Sequence, residues 1–321
     1  ALDATTVGAS NVAIGHQAAS AATSAGYSVY VGALAGGLGV ITGNSNVCVG
    51  YAAGYDLIGG YANVLIGDNA GVNLTDNYQN IVIGQYALDA ANTGEHNNIA
   101  IGTQALSTET SGADGCVAIG HKALEDQNVA AANNVAVGND AALNLTTGTD
   151  SVYMGYQAGG LGTITGDNNV VIGKGAALNG IGFSSSVYIG AAAGGVGVLG
   201  GAANVVIGTG AGADLVAGLQ NVLIGADAGA NLTDNTDNIA IGKGALDGCN
   251  GGENNNIAIG TNALGADIAG SDHCIAIGTS ALILQNADVK NTAIGGLAGA
   301  TIAGGDRNTL LGYRAGNGIS G

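Results

Sequence analysis

The chain has 321 residues, of which 61 are glycine; proline and tryptophan are absent, and phenylalanine occurs once. Six basic residues stand against 23 acidic residues, and the resulting net charge of −17 argues against binding to nucleic acid or to an anionic membrane surface. Glycine without proline and without a three-residue period excludes collagen, and no apolar stretch is long enough for a transmembrane helix, so we expect no membrane insertion.

One short motif recurs eighteen times along the chain, at intervals of 17 or 18 residues, and residues 98–105 (N-I-A-I-G-T-Q-A) are one copy. A fixed short period is typical of a solenoid, in which each repeat forms one coil stacked on the last. The sequence therefore predicts an all-β fold, a parallel β-solenoid of 18 coils. In chain order, the motif glycines are Gly15, Gly32, Gly50, Gly67, Gly84, Gly102, Gly120, Gly138, Gly155, Gly173, Gly190, Gly208, Gly225, Gly242, Gly260, Gly278, Gly295 and Gly312.

Each motif predicts a short strand that ends at its glycine, which we number position 0. The glycine permits a corner with positive φ or close approach of a neighbouring backbone, and the alanine at +3 in every copy indicates an inner corner with room for one methyl group. Position −4 is asparagine in thirteen copies, serine in three and cysteine in two. Stacked asparagines can bond side chain to side chain, as in cross-β structures. The predicted ladder comprises Asn11, Asn46, Asn63, Asn80, Asn98, Asn134, Asn169, Asn204, Asn221, Asn238, Asn256, Asn291 and Asn308.

Position −2 is apolar in every copy, although it points away from positions −3 and −1. A strand that is apolar on both faces is expected to be buried on both. We assign −3 and −1 to the interior of the coil, so −2 needs a cover, either a second chain or a second wall of the same coil. We favour a second chain, with the tyrosines as packing residues rather than a carbohydrate-contacting stripe. The residues predicted to pack between chains are Tyr30, Leu65, Tyr153, Tyr188, Leu223 and Leu310.

A longer period of 158 residues overlies the short one, because residues 73–77 and 231–235 are both N-L-T-D-N. We interpret residues 1–321 as a single elongated β-solenoid with an internal duplication of about nine coils, roughly 11–168 and 169–321. Position +4 alternates in blocks between glycine and leucine or alanine.

No catalytic or metal-binding constellation is apparent. The histidines (His16, His96, His121 and His273) are too widely spaced for a zinc cluster or a nucleophile–base pair, so we predict no enzyme activity and no cofactor. The acidic connections at residues 75–77 and 233–235 offer calcium-type oxygen ligands, but solvated turns are the favoured interpretation. The cysteines (Cys48, Cys116, Cys249 and Cys274) occupy unrelated coil positions or distant coils and are expected to be free thiols.

The unit N-V-A-I-G-x-x-A, as in residues 11–18, resembles the head repeats of trimeric autotransporter adhesins, and similar repeats occur in trimeric phage tail fibres and other bacterial surface fibres. The resemblance implies a left-handed parallel β-roll, three chains packed around one axis, and attachment to a surface or receptor. The repeat here is longer than the adhesin repeat, so the outer part of the coil must differ.

The sequence thus favours a structural and attachment role, as part of a phage tail fibre or a bacterial surface adhesin, in an extracellular location. The expected partners are other copies of the chain, as a homotrimer, and a cell-surface receptor or glycan. An alternative is a filament subunit that stacks end to end. An ice-binding or carbohydrate-binding solenoid is less favoured, because positions +1 and +2 lack one residue type in register.

Overall fold

The structure, a computed structural model, describes residues 8–37, 39–90, 94–108, 112–127, 132–195, 197–248, 252–266, 271–285, 290–302 and 305–317. These residues form 18 three-residue parallel β-strands and no α-helix, which confirms the predicted all-β solenoid. Within the same ranges there is no helix that could cross a bilayer. The chain divides into two compact units, Ala1–Thr165 and Gly166–Gly321, with a boundary close to the predicted end of the first duplicated block.

Each unit contains nine of the strands, and each strand ends just before a motif glycine. Unit 1 contains β1 (Val12–Ile14), β2 (Val29–Val31), β3 (Val47–Val49), β4 (Val64–Ile66), β5 (Ile81–Ile83), β6 (Ile99–Ile101), β7 (Val117–Ile119), β8 (Val135–Val137) and β9 (Val152–Met154). Unit 2 contains β10 (Val170–Ile172), β11 (Val187–Ile189), β12 (Val205–Ile207), β13 (Val222–Ile224), β14 (Ile239–Ile241), β15 (Ile257–Ile259), β16 (Ile275–Ile277), β17 (Thr292–Ile294) and β18 (Thr309–Leu311).

Within each unit, every strand pairs in parallel with the next strand along the chain, and equivalent motif positions lie side by side. In unit 1, for example, Ile99, Ala100 and Ile101 pair with Val117, Ala118 and Ile119. The same register holds from β1 to β9 and from β10 to β18. Each motif position therefore forms a column of side chains along its unit.

The middle residue of the strand, at −2, lies inside the coil, and the prediction that −3 and −1 line the interior was wrong. Five of the six residues predicted to pack between chains are 0% exposed within the single chain, so they cannot form an interchain interface: Tyr30, Leu65, Tyr153, Tyr188 and Leu223. Leu310 is partly exposed, and its role stays a prediction. The physical reason is that the coil supplies its own second wall, formed by the alanine at +3, the residue at +4 and a buried apolar residue of the connection such as Ile41 or Leu57.

Positions −2 and +4 face each other across the interior and complement each other in size. A Cβ atom on Gly36 would lie 2.5 Å from the ring of Tyr30. Where −2 is the small Ala100, position +4 is instead the buried Leu106. Protein interiors are close-packed, so most coils have a large side chain on only one of the two walls; the fifth coil, with Val82 and Leu88 both buried, is an exception. This complementarity accounts for the block alternation at +4 in the sequence.

The size rule predicts that Gly194 and Tyr188 are energetically coupled. A Cβ atom on Gly194 would lie 2.6 Å from the Tyr188 ring, so we expect Gly194→Leu to overpack the coil and cost about 1–3 kcal/mol. The double variant Tyr188→Ala/Gly194→Leu recreates the pair found at Ala100 and Leu106 and should regain most of that stability. Denaturant titration of the wild type, both single variants and the double variant measures the coupling; additive losses would contradict it.

The backbone of every coil has positive φ at the same four positions, −5, 0, +2 and +4. Many of these residues are not glycine, such as Tyr86 (φ 54°) at +2 and Leu106 (φ 55°) at +4. Left-handed conformations cost residues with a Cβ atom roughly 1–2 kcal/mol each. Contacts between stacked coils must therefore offset a backbone strain that recurs in every coil.

Candidate functional site

The asparagines at −4 form the predicted ladder, and they join each coil mainly to the backbone of the next. Asn98 donates from Nδ2 to the Ala113 carbonyl oxygen at 2.7 Å, and its Oδ1 accepts the Cys116 N–H at 2.9 Å. Bonds between ladder side chains also occur, such as Asn80 Nδ2 to Asn63 Oδ1 at 3.2 Å. All the predicted ladder residues are buried except the partly exposed Asn11 and Asn308. These side chains are structural and do not face a ligand.

Serine keeps only part of this connection where it replaces asparagine. The Oγ of Ser28 accepts the Asn46 N–H at 3.0 Å, and the Oγ of Ser186 accepts the Asn204 N–H at 3.2 Å. Their hydroxyls donate to Gly26 and Ser184, two residues earlier in their own coil. Serine therefore retains the acceptor for the next coil, while its hydroxyl donates within its own coil.

The interior contains titratable groups whose reactivity is suppressed. Burial raises the pKa of Tyr30 to about 12, and the nearby Cys48 acts in the same direction. Burial also raises the pKa of Cys48 and of Tyr188 to about 12. These groups are therefore protonated at neutral pH. Because Tyr30 and Tyr188 are fully enclosed, a carbohydrate-contacting role for them is excluded.

The aspartates of the acidic connections accept hydrogen bonds from protein groups. Asp76 Oδ1 accepts the Gly59 N–H at 3.1 Å, and Asp234 Oδ1 accepts the Thr233 hydroxyl at 3.1 Å. In the part of the chain that the structure describes, no three His, Cys, Asp or Glu residues cluster as metal ligands. Cys48 is a free, buried thiol, as predicted; Cys116 and Cys274 are also buried, and Cys249 lies outside the described residues.

Two buried carboxylates were missed by the sequence analysis. Glu95 and Glu253 are 0% exposed and occupy equivalent positions in the two units. Glu95 accepts hydrogen bonds from the Asn77 side chain and, at 3.1 Å, from the Gly112 N–H, and Glu253 accepts one from Asn235 Nδ2 at 2.8 Å. The carboxylates thus link the N-L-T-D-N connection of one coil to the next coil.

The four histidines are not brought together, but one of them joins an aromatic stack. Tyr61 and Tyr78 are stacked with ring centroids 5.0 Å apart, and Tyr78 and His96 with centroids 3.7 Å apart. The three rings thus stack in successive coils, and Tyr61 at the end of the stack is 46% exposed.

The first surface with functional potential is the apolar face of each unit, formed by the side chains at −3 and −1. These are valine and isoleucine in nearly every strand, and most are only partly buried: Ile83, for example, is 36% exposed and Ile119 37%. The columns place these side chains next to one another from strand to strand. A contiguous apolar surface of this kind is typical of an interaction site.

The second surface is a groove in unit 1, made of two consecutive clefts between the columns at +2 and at +5 or +6. The upper cleft, of about 260 Å³, is lined by Leu34, Tyr51, Ala52, Tyr55, Asn69 and Val72. The lower cleft, of about 410 Å³, is lined by Asn73, Tyr86, Asp89, Ala90, Gln104, Ser107, Thr108 and Glu125. Val72 and Asn73 are adjacent in the chain, so the linings of the two clefts come next to each other in the fourth coil.

Two residues of the lower cleft, Glu125 and Asp89, make polar contacts with neighbouring side chains. The carboxylate of Glu125 pairs with Lys122 Nζ at 3.0 Å, and Asn73 Nδ2 donates to the Asp89 carbonyl oxygen at 2.5 Å. Desolvation by burial raises the pKa of Asp89 above its ordinary value. The cleft therefore combines an aromatic ring, amides, hydroxyls and carboxylates in one open site.

Comparison of the sequence with protein-family models and with curated proteins finds no match. The sequence analysis did not identify the groove, since positions +2 and +5 vary along the chain. A signal was present in the 158-residue duplication, because Tyr51, Tyr55 and Tyr86 correspond to Thr209, Ala213 and Gly244.

Proposed function

We propose that the chain is a structural segment of an extracellular attachment fibre, such as a phage tail fibre or a bacterial surface adhesin, in which three copies associate through their apolar faces. The role is mechanical and non-catalytic: stacked coils provide a stiff support that presents variable side chains to a host surface. The observation that carries the proposal is the apolar face of each unit.

Leaving that apolar face in water has a free-energy cost. The −3 and −1 columns together place two β-branched or aliphatic side chains per coil on one surface, and apolar burial yields roughly 25 cal/mol per Å². Parallel sheets are normally covered on both faces. Here the interior covers one face of the strands, and a second copy of the chain supplies the simplest cover for the other.

Three copies are favoured over two by the resemblance to trimeric adhesin repeats. A cyclic trimer also closes without leaving an uncovered face, provided that each chain turns its apolar face towards the common axis. The sequence analysis assigned the interface to position −2; the proposal moves it to −3 and −1.

The assembly is tested by the mass in dilute solution, measured by light scattering after size exclusion. We expect three times the chain mass of 30.6 kDa. A single-chain mass would overturn the proposal, and a mass that grows without limit with concentration would favour an end-to-end filament instead.

A pair of substitutions identifies the interface. Ile83→Asp with Ile241→Asp places one charge on each apolar face, where both side chains are 36% exposed in the single chain, and should dissociate the assembly to single chains. The control, Thr103→Asp with Thr261→Asp, adds the same charges at exposed +1 positions and should leave the mass unchanged. Loss of the assembly in both variants, or in neither, would contradict the assignment.

A further inference from the structure

We propose that the groove of unit 1 binds a neutral, linear glycan chain. This inference rests on the proposed attachment role, for which it names the ligand class and the site. It requires the side chains of one unit only and is independent of the number of chains in the assembly.

The dimensions of the groove suit an extended polymer. Its lining begins at Leu34 in the second coil and ends at Glu125 in the seventh, and coils repeat at about 4.8 Å, so it spans about 24 Å. The combined clefts fall in the size range of small-molecule sites, roughly 300–1,000 Å³. An oligosaccharide of several units fits that length, whereas a compact metabolite would occupy only part of it.

The aromatic lining suits the apolar face of a sugar ring. Tyr51 is 54% exposed and Tyr86 41% exposed, and Tyr55 lies half-buried beside them in the upper cleft. A tyrosine ring combines apolar contact area with a hydroxyl that can hydrogen-bond at its rim, at low conformational cost. Among the described residues, the rings of Tyr51, Tyr55 and Tyr86 are not stacked on one another, unlike those of Tyr61, Tyr78 and His96.

The polar lining suits hydroxyl groups and disfavours anions. Amides at Asn69 and Gln104 and the hydroxyl of Ser107 can donate and accept, as sugar hydroxyls do. Asp89 and Glu125 can accept from them but would repel sulfate, phosphate or uronate groups. The net charge of −17 acts in the same direction. The predicted ligand is therefore uncharged.

Unit 2 provides an internal comparison. At equivalent positions it replaces Tyr51, Tyr55 and Tyr86 with Thr209, Ala213 and Gly244, and Glu125 with Ile283. Over the same coils it keeps the asparagine at every ladder position where unit 1 has one. The scaffold is thus retained while the aromatic lining is lost, although Asn73 and Asp89 are kept as Asn231 and Asp247. The tyrosines are therefore not needed to build the coil.

The conformation of Tyr86 supports that reading. Its φ is 54°, in a region that costs a residue with a Cβ atom roughly 1–2 kcal/mol, while Gly244 has the same conformation (φ 60°) at little cost. An exposed aromatic ring at a strained position stabilises the coil less than the glycine would. We therefore assign the Tyr86 ring to ligand contact rather than to packing of the coil.

The test titrates the full chain with four neutral hexasaccharides (cellohexaose, maltohexaose, mannohexaose and chitohexaose), by calorimetry and by saturation-transfer NMR. We expect at least one to bind, and the triple variant Tyr51→Thr/Tyr55→Ala/Tyr86→Gly to weaken its affinity at least tenfold. The variant carries the residues of unit 2, whose coils have the same fold, and circular dichroism checks that it is folded.

Tyr156→Thr is the matched control, because Tyr156 is 46% exposed at +1, the column of Tyr51, but lines neither cleft. It should bind as the wild type does. The inference is overturned if no hexasaccharide binds or if the triple variant binds as well as the wild type. The mass from light scattering is measured on the same samples: a trimer without glycan binding refutes the ligand alone, and binding by a single chain refutes the assembly alone.

Discussion

Replacing Gly173 with alanine should unfold its part of unit 2, at a cost of about 3–5 kcal/mol. The φ of Gly173 is 134°, which residues with a Cβ atom rarely adopt, and an added Cβ atom would lie 2.5 Å from the carbonyl oxygen of Gly190 in the next coil. Neither backbone can withdraw, because both belong to the same hydrogen-bonded ladder: the N–H of Gly190 donates to the Ile172 carbonyl oxygen at 2.8 Å. Strain and overlap therefore act together.

Gly175→Ala is the matched control, two residues away in the same coil. Gly175 also has positive φ, at 61°, but among the described residues no atom beyond its chain neighbours lies within 4 Å of an added Cβ. Ala52 and Ala192 occupy the equivalent position in other coils. It should cost only about 1 kcal/mol. Guanidinium titration together with amide exchange at Gly190 measures both variants. Equal losses would mean that backbone strain alone, and not contact between glycines, requires Gly173.

Asn221→Ala should cost about 2–5 kcal/mol, because it leaves two buried backbone groups without partners. Asn221 donates from Nδ2 to the Asn235 carbonyl oxygen at 2.7 Å, and its Oδ1 accepts the Asn238 N–H at 3.0 Å. Each unsatisfied buried group costs roughly 1–3 kcal/mol. Amide exchange at Asn238 should accelerate strongly, since the Oδ1 atom that accepts its N–H is removed.

The variant Asn221→Ser tests separately the bond that Asn221 donates and the bond that it accepts. By analogy with Ser28 and Ser186, serine keeps the acceptor for the next coil and loses the donor, so we expect about half the destabilisation of the alanine variant. Exchange at Asn238 should stay slow in the serine variant. If the serine and alanine variants are equally destabilised, the stability comes from the bond that Asn221 donates to Asn235. The bond that it accepts from Asn238 then contributes little.

The period of the motif was sufficient to predict the parallel solenoid and the position of every strand. Both reasons proposed for the motif glycine, positive φ and close approach of a neighbouring backbone, hold at Gly173. These features depend on contacts between equivalent residues of successive coils, which a repeat displays directly.

The period could not decide which face of the strand lies inside. Alternation shows only that −2 opposes −3 and −1. The choice depends on the second wall, which is built from residues such as Ala35 and Ile41 in turns that have no strand pattern. The sequence does show that a large residue at −2 is matched by a small one at +4, and the reverse. Examples are Tyr30 with Gly36 and Ala100 with Leu106, and this pattern would have identified the interior.

The groove was harder to predict, because a binding surface varies where a scaffold repeats. Tyr51 and Tyr86 occupy columns that hold many residue types, so no motif marks them. Only their loss in the duplicated unit, against a retained ladder, distinguishes them from ordinary exposed residues.

Because the strand register places equivalent residues of successive coils side by side, each coil is a self-contained structural unit. A copied coil brings its own ladder residue, corner glycine and matched interior pair, so a unit can gain or lose length without redesign of its core. A binding track on its surface would then lengthen in steps of about 4.8 Å. Reach and ligand preference can thus be adjusted independently, the first by the number of coils and the second by a few side chains at +1, +2 and +5.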